Sequence, residues 1–259
     1  MSLPSVAESP VIEIAPPATQ RRWAIAFGLY TAATNLIFTQ GVWVIYLAIH
    51  GFSPFAIGLF ETCFHVAKFL AEAPTGVFAD LMGRRLSLIV SAVLVVVAEL
   101  LFLAPTPPMI AMSFALQGVA YAFRGGADSA LLWTLVERSG GEQKAARYSR
   151  LFSRMFVLVL LMQTVGVASG GFLLDVGQAL PFIVSAVFSA LAIVPLLALP
   201  EQRAHTAHRA HPLAHLREGL RAVGRDPALL GLLLLSGLTA GVMTTIGYYT
   251  QLFYHSIGF

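Results

Sequence analysis

A chain of 259 residues with 57% hydrophobic and only 11% charged side chains is not a soluble globular domain, which draws about a quarter of its residues from the charged set. Its net charge of +3 resides in short breaks between apolar runs rather than on one face, which excludes a nucleic-acid-binding surface. Cys63 is the single cysteine, so an internal disulfide and a cysteine metal site are excluded as well.

Residues 1–20 are rich in Pro, Ser and Ala, carry Glu8 and Glu13, and lack a basic region ahead of a short apolar core. They read as a disordered cytoplasmic tail, not a signal peptide. Seven apolar stretches long enough to cross a bilayer follow, at about 23–48, 54–78, 86–104, 108–136, 148–174, 180–199 and 228–254. The expected fold class is therefore an all-α polytopic membrane protein.

Span one offers Asn35, Thr39, Gln40, Trp43 and Tyr46, a mixture of hydrogen-bonding and aromatic surface that suits an amphipathic organic substrate. The same residues also fit inter-helix hydrogen bonding and an interfacial aromatic belt, Tyr46 above all. Span two carries Glu61, His65, Lys68 and Glu72 at i, i+4, i+7 and i+11, one stripe of a helix. A charge facing lipid costs about 2.5–3.5 kcal/mol on insertion scales, so the stripe is expected to face protein or a watery cavity.

Beyond it, "GVFADLMGRR" (76–85) forms a turn at the membrane edge, where Gly76 and Gly83 permit close backbone approach. Glu99 is a lone acid in span three, for which a structural or neutral, protonated role is expected rather than coupling. Arg124 and Asp128 lie one turn apart in span four. Two readings stay open for these charges. In one they line a polar cavity, with Glu72 or Glu61 as the protonatable acid and Lys68 and Arg124 as partners or substrate ligands. In the other Glu72 pairs with Arg124 and Asp128 with Lys68 to cement the bundle. In span five, Gly166, Gly170 and Gly171 allow close helix packing.

The connection 200–227 separates six spans from a seventh. It holds His205, His208, His211 and His215, which read as a solvated linker rather than a zinc site, and no metal or other cofactor is expected. After Pro212, Leu213, Leu216, Leu220 and Val223 lie opposite Arg217 and Arg221, as in a short amphipathic helix on the membrane surface. Lys and Arg alternate strictly between connections, which places the N-terminus in the cytoplasm. "VIYLAIHGF" (44–52) and "QLFYHSIGF" (251–259) form a faint repeat, as if a second half began near residue 228.

Gly76, Ala79, Asp80, Gly83, Arg84 and Arg85 match the pattern G-x-L-A-D-x-x-G-R-[KR], with Phe78 in place of Leu. The chain thereby resembles the major facilitator superfamily, which carries this motif between helices two and three. "EAPTG" (72–76) and "GGADSALL" (125–132) are similar to patterns of a bacterial subset of that family. Other family patterns are met imperfectly: Arg124 lies ten residues beyond the family's position, and Val167 replaces the proline of G-P-x-x-G-G.

The resemblance implies a six-helix N-terminal bundle over 21–199, the inter-half loop 200–227, and helix seven of an incomplete C-terminal bundle over 228–259. It further implies a secondary active transporter of the bacterial inner membrane, working by alternating access on a small organic molecule. Drug or metabolite efflux is the favoured direction and protons are a candidate coupling ion. Asp80, with Gly76, Gly83, Arg84 and Arg85, would latch the two halves, and a missing C-terminal half or partner chain would be required for transport. Two alternatives differ in class: a metal-ion transporter using the histidine loop, and a non-transporting membrane sensor or assembly protein. An intramembrane enzyme is not expected, because no span carries a nucleophile–base or metal-ligand set.

Overall fold

The computed structural model describes residues 14–201 and 224–256, and its regular structure there is α-helical. Helix α1 spans Pro17–Asn35 and α2 spans Trp43–Ile49. A long α3, Pro54–Met82, is followed after one residue by α4, Arg84–Leu101. Next come α5, Pro107–Arg124, and α6, Ala127–Glu137. Helix α7 covers Lys144–Val176, α8 Leu180–Leu191, α9 Ile193–Leu197 and α10 Pro227–Ser256. Among the described residues, 54–82, 144–176, 180–197 and 227–247 are each long and apolar enough to cross a bilayer unaided.

Proline occupies the first turn of α3, α5 and α8, where its missing N–H is not needed and its fixed φ suits a helix. Ser53 adds a cap to α3, its Oγ accepting from the Ala56 N–H at 3.3 Å. Residues 14–20 are ordered, which corrects the expectation of a disordered tail up to residue 20. The Ala15 N–H donates to the Arg138 carbonyl at 2.9 Å, and Gln20 donates to the Ala15 and Ser139 carbonyls.

The first and fourth predicted spans are each two helices, not one. In the first, residues 36–42 leave the helix. Thr34 Oγ1 and Asn35 Nδ2 donate to the Tyr30 and Thr31 carbonyls at 3.0 and 2.8 Å. The Phe38 N–H turns aside to Ser185 Oγ on α8 at 3.0 Å. Helix resumes where the Trp43 N–H donates to the Thr39 carbonyl at 2.9 Å. In the fourth, Gly125 and Gly126 separate α5 from α6. Gly126 has φ +76°, which glycine adopts without steric cost.

Small and hydroxyl side chains join the helices. Ser87 Oγ donates to the Phe123 carbonyl, Ser91 Oγ to Ala120 and Ser113 Oγ to Ala98, at 2.7, 2.7 and 2.8 Å. This ladder fastens α4 to α5 along their length, the polar gluing that lipid-embedded helices use. On α7, Gly166 and Gly170 pack directly on the backbone of the span-one break. A Cβ on Gly166 would lie 2.8 Å from the Ile37 carbonyl oxygen, and one on Gly170 would collide with that of Phe38. Gly171 faces open space.

The buried aromatic core joins α2, α3, α5, α8 and Phe102 just after α4. Phe102 and Phe182 stack at 4.6 Å, and the Tyr46 hydroxyl donates to the Phe102 carbonyl at 2.7 Å. Tyr46 is 3% exposed, so it belongs to this core and not to an interfacial belt. Outside, Phe55 is 82% and Phe172 70% exposed, an apolar exterior that a hydrocarbon surround accommodates. Among the described basic residues, Arg147 donates to Gln20 and Arg85 to the Leu199 carbonyl.

Gly170→Ala is expected to destabilise the protein by about 1–3 kcal/mol, the range for overpacking a tight contact. Gly171→Ala is expected to leave it unchanged. Thermal unfolding in detergent distinguishes the two; equal melting points for both variants would contradict the packing described.

Candidate functional site

The two helix breaks lie side by side, and charged groups gather where they meet. Arg124 closes α5 and Asp128 opens α6, so the guanidinium sits at a helix C-terminus and the carboxylate at a helix N-terminus, each favoured by the local dipole. Arg124 Nε donates to Asp128 Oδ2 at 2.8 Å. The Tyr30 hydroxyl donates to Asp128 Oδ1 at 2.7 Å, and Arg124 Nη2 donates to Asn35 Oδ1 at 3.2 Å. Span one and span four are thus tied through four side chains, Tyr30 and Asn35 of α1 with Arg124 and Asp128.

Three further cavities lie in the bundle, and one of them has Tyr30 and Arg124 of this tie in its wall. The first, of about 300 Å³, is lined by Thr39, Gln40, Trp43, Glu61, Gln117 and Gln163, among others. A second, of about 530 Å³, lies between α3 and α10, with Glu61 and His65 on one wall and Gly237, Gly241 and Tyr249 on the other. The Tyr249 hydroxyl reaches the Pro54 carbonyl at 3.1 Å. Glu61 lines both, and its Oε1 lies 3.4 Å from His65 Nε2. The third cavity, of about 40 Å³, lies among α1, α4, α5 and α8, and its wall includes Glu99, Gln117, Tyr121 and Arg124. Glu99 is 3% exposed and accepts from Thr39 Oγ1 at 3.3 Å. Its Oε2 has no hydrogen-bond partner among the described residues.

Of the sequence-predicted cavity residues, Gln40, Glu61, His65 and Arg124 line one or another of these cavities, and Asn35 and Asp128 belong to the tie around Arg124. Lys68 is half-buried and Glu72 exposed, outside the cavities just described. The expected pairs Glu72–Arg124 and Asp128–Lys68 do not form. Arg124 pairs with Asp128 instead, four residues on in the same span.

The glycine–arginine motif is also not the loop expected. Helix α3 continues through Pro74 to Met82, so Gly76 and Asp80 are helical and exposed, and Gly83 alone makes the turn, at φ +108°. Arg84 donates to the Ala130 carbonyl at 3.3 Å. Arg85 donates through its backbone N–H and Nε to Glu201, at 3.2 and 3.1 Å. Asp80 has no ion pair among the described residues. The clamp at this end is therefore Arg85–Glu201, joining α4 to the residues after α9.

Glu201, Tyr30 and Gln117 escaped sequence reading, since each takes its role from a partner distant in the chain. The four histidines of the 200–227 connection and its predicted amphipathic helix lie outside the described residues. Among the described residues no three His, Cys, Asp or Glu side chains are grouped to hold a metal ion.

A family model, Major Facilitator Superfamily, matches residues 23–259. The chain is 23% identical over 226 residues to an uncharacterized MFS-type transporter, YxaM, of Bacillus subtilis (strain 168), covering 84% of this chain and 55% of that protein. It is 27% identical over 148 residues to Multidrug resistance protein 1 of the same organism, covering 56% of this chain and 36% of that one. The chain thus matches about half of the first relative's length and about a third of the second's.

Arg124→Ala, Asp128→Ala and the double variant, compared by thermal unfolding, are expected to lose stability non-additively, each single change costing about 1.5–3 kcal/mol. Additive losses would mean the pair does not act as a unit. Glu201→Ala is expected to speed tryptic cleavage after Arg84 or Arg85; an unchanged digestion rate would remove the clamp.

Proposed function

The chain belongs to the Major Facilitator Superfamily, and we propose that it forms one wall of the substrate path in a secondary active transporter. The observation that carries the reading is the cavity of about 300 Å³ beside the unwound stretch of span one, where amides and aromatic rings surround the carboxylate of Glu61. Irregular backbone at membrane depth, lining a cavity, is where transporters place their substrate sites.

The substrate that suits this lining is a small amphipathic organic molecule. Trp43, Phe64 and Phe114 offer apolar contact, Gln40 and Gln163 offer hydrogen bonds, and Glu61 favours a positive group. A relative named for multidrug resistance supports export of drug-like compounds as the direction. Alternating access would proceed by rocking of this bundle against a second one around the same cavity. Protons are the proposed coupling ion.

The alternation of basic and uncharged connections along the sequence supports a cytoplasmic N-terminus in a bacterial inner membrane. On the cytoplasmic side the motif residues would take part in gating, with Gly83 as the turn, Arg84 and Arg85 holding neighbouring helices, and Asp80 presented outward for a partner surface.

Protein made from the complete gene, reconstituted in proteoliposomes, tests the reading with ethidium and tetraphenylphosphonium as probes, with and without a pH gradient. Gradient-dependent movement of at least one probe is expected. Glu61→Gln is expected to weaken it about tenfold, the loss of one charge-assisted contact, whereas Glu72→Gln leaves it unchanged. Absence of movement for both probes in the unsubstituted protein would overturn the proposed substrate class.

A further inference from the structure

We propose that Glu99 is a proton-binding site, placed in a separate small cavity behind the substrate chamber and not within it. Its coupling role rests on the transport reading above; its proton binding does not. The argument begins with an unsatisfied atom. Glu99 is buried, one carboxyl oxygen accepts from Thr39, and Oε2 has no partner among the described residues although it sits where lipid and bulk water are both excluded. A buried polar atom without a partner is costly, so its retention calls for a role or a small guest. The adjoining cavity of about 40 Å³ is large enough for a water molecule, which needs roughly 10–15 Å³ of probe-occupied volume, and too small for an organic substrate.

The position of this cavity connects it to the chamber. Ile37, Gln117 and Tyr121 line both spaces, so the two are separated by a single layer of side chains. Thr39 completes the connection. Its hydroxyl holds Glu99, and its backbone carbonyl accepts from the Val42 and Trp43 N–H groups at 3.0 and 2.9 Å. Trp43 and Gln40, on the same segment, line the chamber. A change of charge on Glu99 therefore acts on the irregular segment that shapes the substrate site.

The surrounding titratable groups are few. Helix α5 presents Tyr121 and Arg124, and Arg124 is already committed to Asp128 and Asn35. Helix α1 presents Tyr30, whose hydroxyl is given to Asp128. Glu61 of α3 faces the chamber on the other side of Tyr121, and Tyr46 of α2 is bonded to the Phe102 carbonyl. Helix α8 contributes only Ser185 and Ser189, α7 only Gln163, and the 36–42 segment only Thr39 and Gln40. Glu99 is thus the one carboxyl on the small cavity.

The step balances simply. A hydronium ion in the chamber or the small cavity transfers its proton to Oε2 of the carboxylate and remains as water, while Thr39 continues to donate to Oε1. Release to water is the reverse. Protonation turns Oε2 from an unpaired acceptor into a donor to the cavity's water.

Infrared difference spectroscopy of protein made from the complete gene, titrated with pH, reads the carboxyl directly. A protonated-carboxyl C=O band is expected to appear and vanish with pH, to be missing in Glu99→Gln, and to shift in frequency in Thr39→Val, which keeps the acid and removes its donor. The same band in Glu99→Gln, or none in the unsubstituted protein, would overturn the proposal. If Glu99→Gln does not fold, the Thr39→Val shift decides, and no shift sinks the idea. Loss of the band on adding sodium at constant pH would assign the site to a metal cation instead. In proteoliposomes, Glu99→Gln is expected to retain gradient-independent exchange of ethidium and to lose gradient-driven accumulation. A titrating band in a protein that moves no probe would leave the proton site standing and overturn the proposed substrate class.

Discussion

Inside a bilayer each backbone N–H and carbonyl must find its partner within the protein, and an unbroken helix is the simplest solution. The segment from Leu36 to Val42 gives up that solution in the middle of a span, and much of the molecule is arranged around the consequence. Ser185 takes the amide of Phe38, the Thr39 carbonyl restarts the helix, and α7 closes over the exposed backbone. That closure demands residues without side chains, which is the physical reason for Gly166 and Gly170. The same geometry gives no reason for Gly171.

The second break, at Gly125–Gly126, works with the first. By ending one helix and starting another, it gives a basic residue a C-terminus and an acidic residue an N-terminus, and the two pair across the gap. Tyr30 and Asn35 complete the set from span one. A charge pair embedded among lipid-facing helices is stable only when its remaining donors and acceptors find partners, and here two further hydrogen bonds, from Tyr30 and to Asn35, contribute to that. The unsatisfied acid lies elsewhere, at Glu99, separated from the chamber by residues common to both spaces. Under the two proposals above, substrate contact and proton binding would fall to different carboxyls, Glu61 and Glu99. Coupling would then pass through a short irregular backbone segment that both acids adjoin, not through competition at one carboxylate.

The glycine–arginine turn follows a different logic. There Gly83 makes the turn and the two arginines that follow fasten α4 to the start of α6 and to the residues after α9. Asp80, one helical turn earlier, remains outward-facing. A motif that looks like one loop in the sequence thus divides into a holding part and a presented part.

Much of the fold was legible without coordinates, because bilayer thickness sets helix length and hydropathy is a local property of the chain. The apolar stretches, the proline-led helix starts and the basic connections are all read one segment at a time. Membership of the family was legible in the same way, from the spacing of Gly, Asp and Arg in residues 76–85. What the sequence left open were relations between distant segments. Whether Arg124 pairs with Glu72 or Asp128, whether Tyr46 faces lipid or core, and which carboxyl lies on which cavity depend on how helices rotate about their axes and where they break. Those choices are made by packing: by Gly166 and Gly170 admitting a backbone, by Gly126 breaking one span in two, and by Thr39 reaching an acid 60 residues away. Local chemistry therefore determined the apolar helices and the family, and tertiary contacts alone decided which side chains meet.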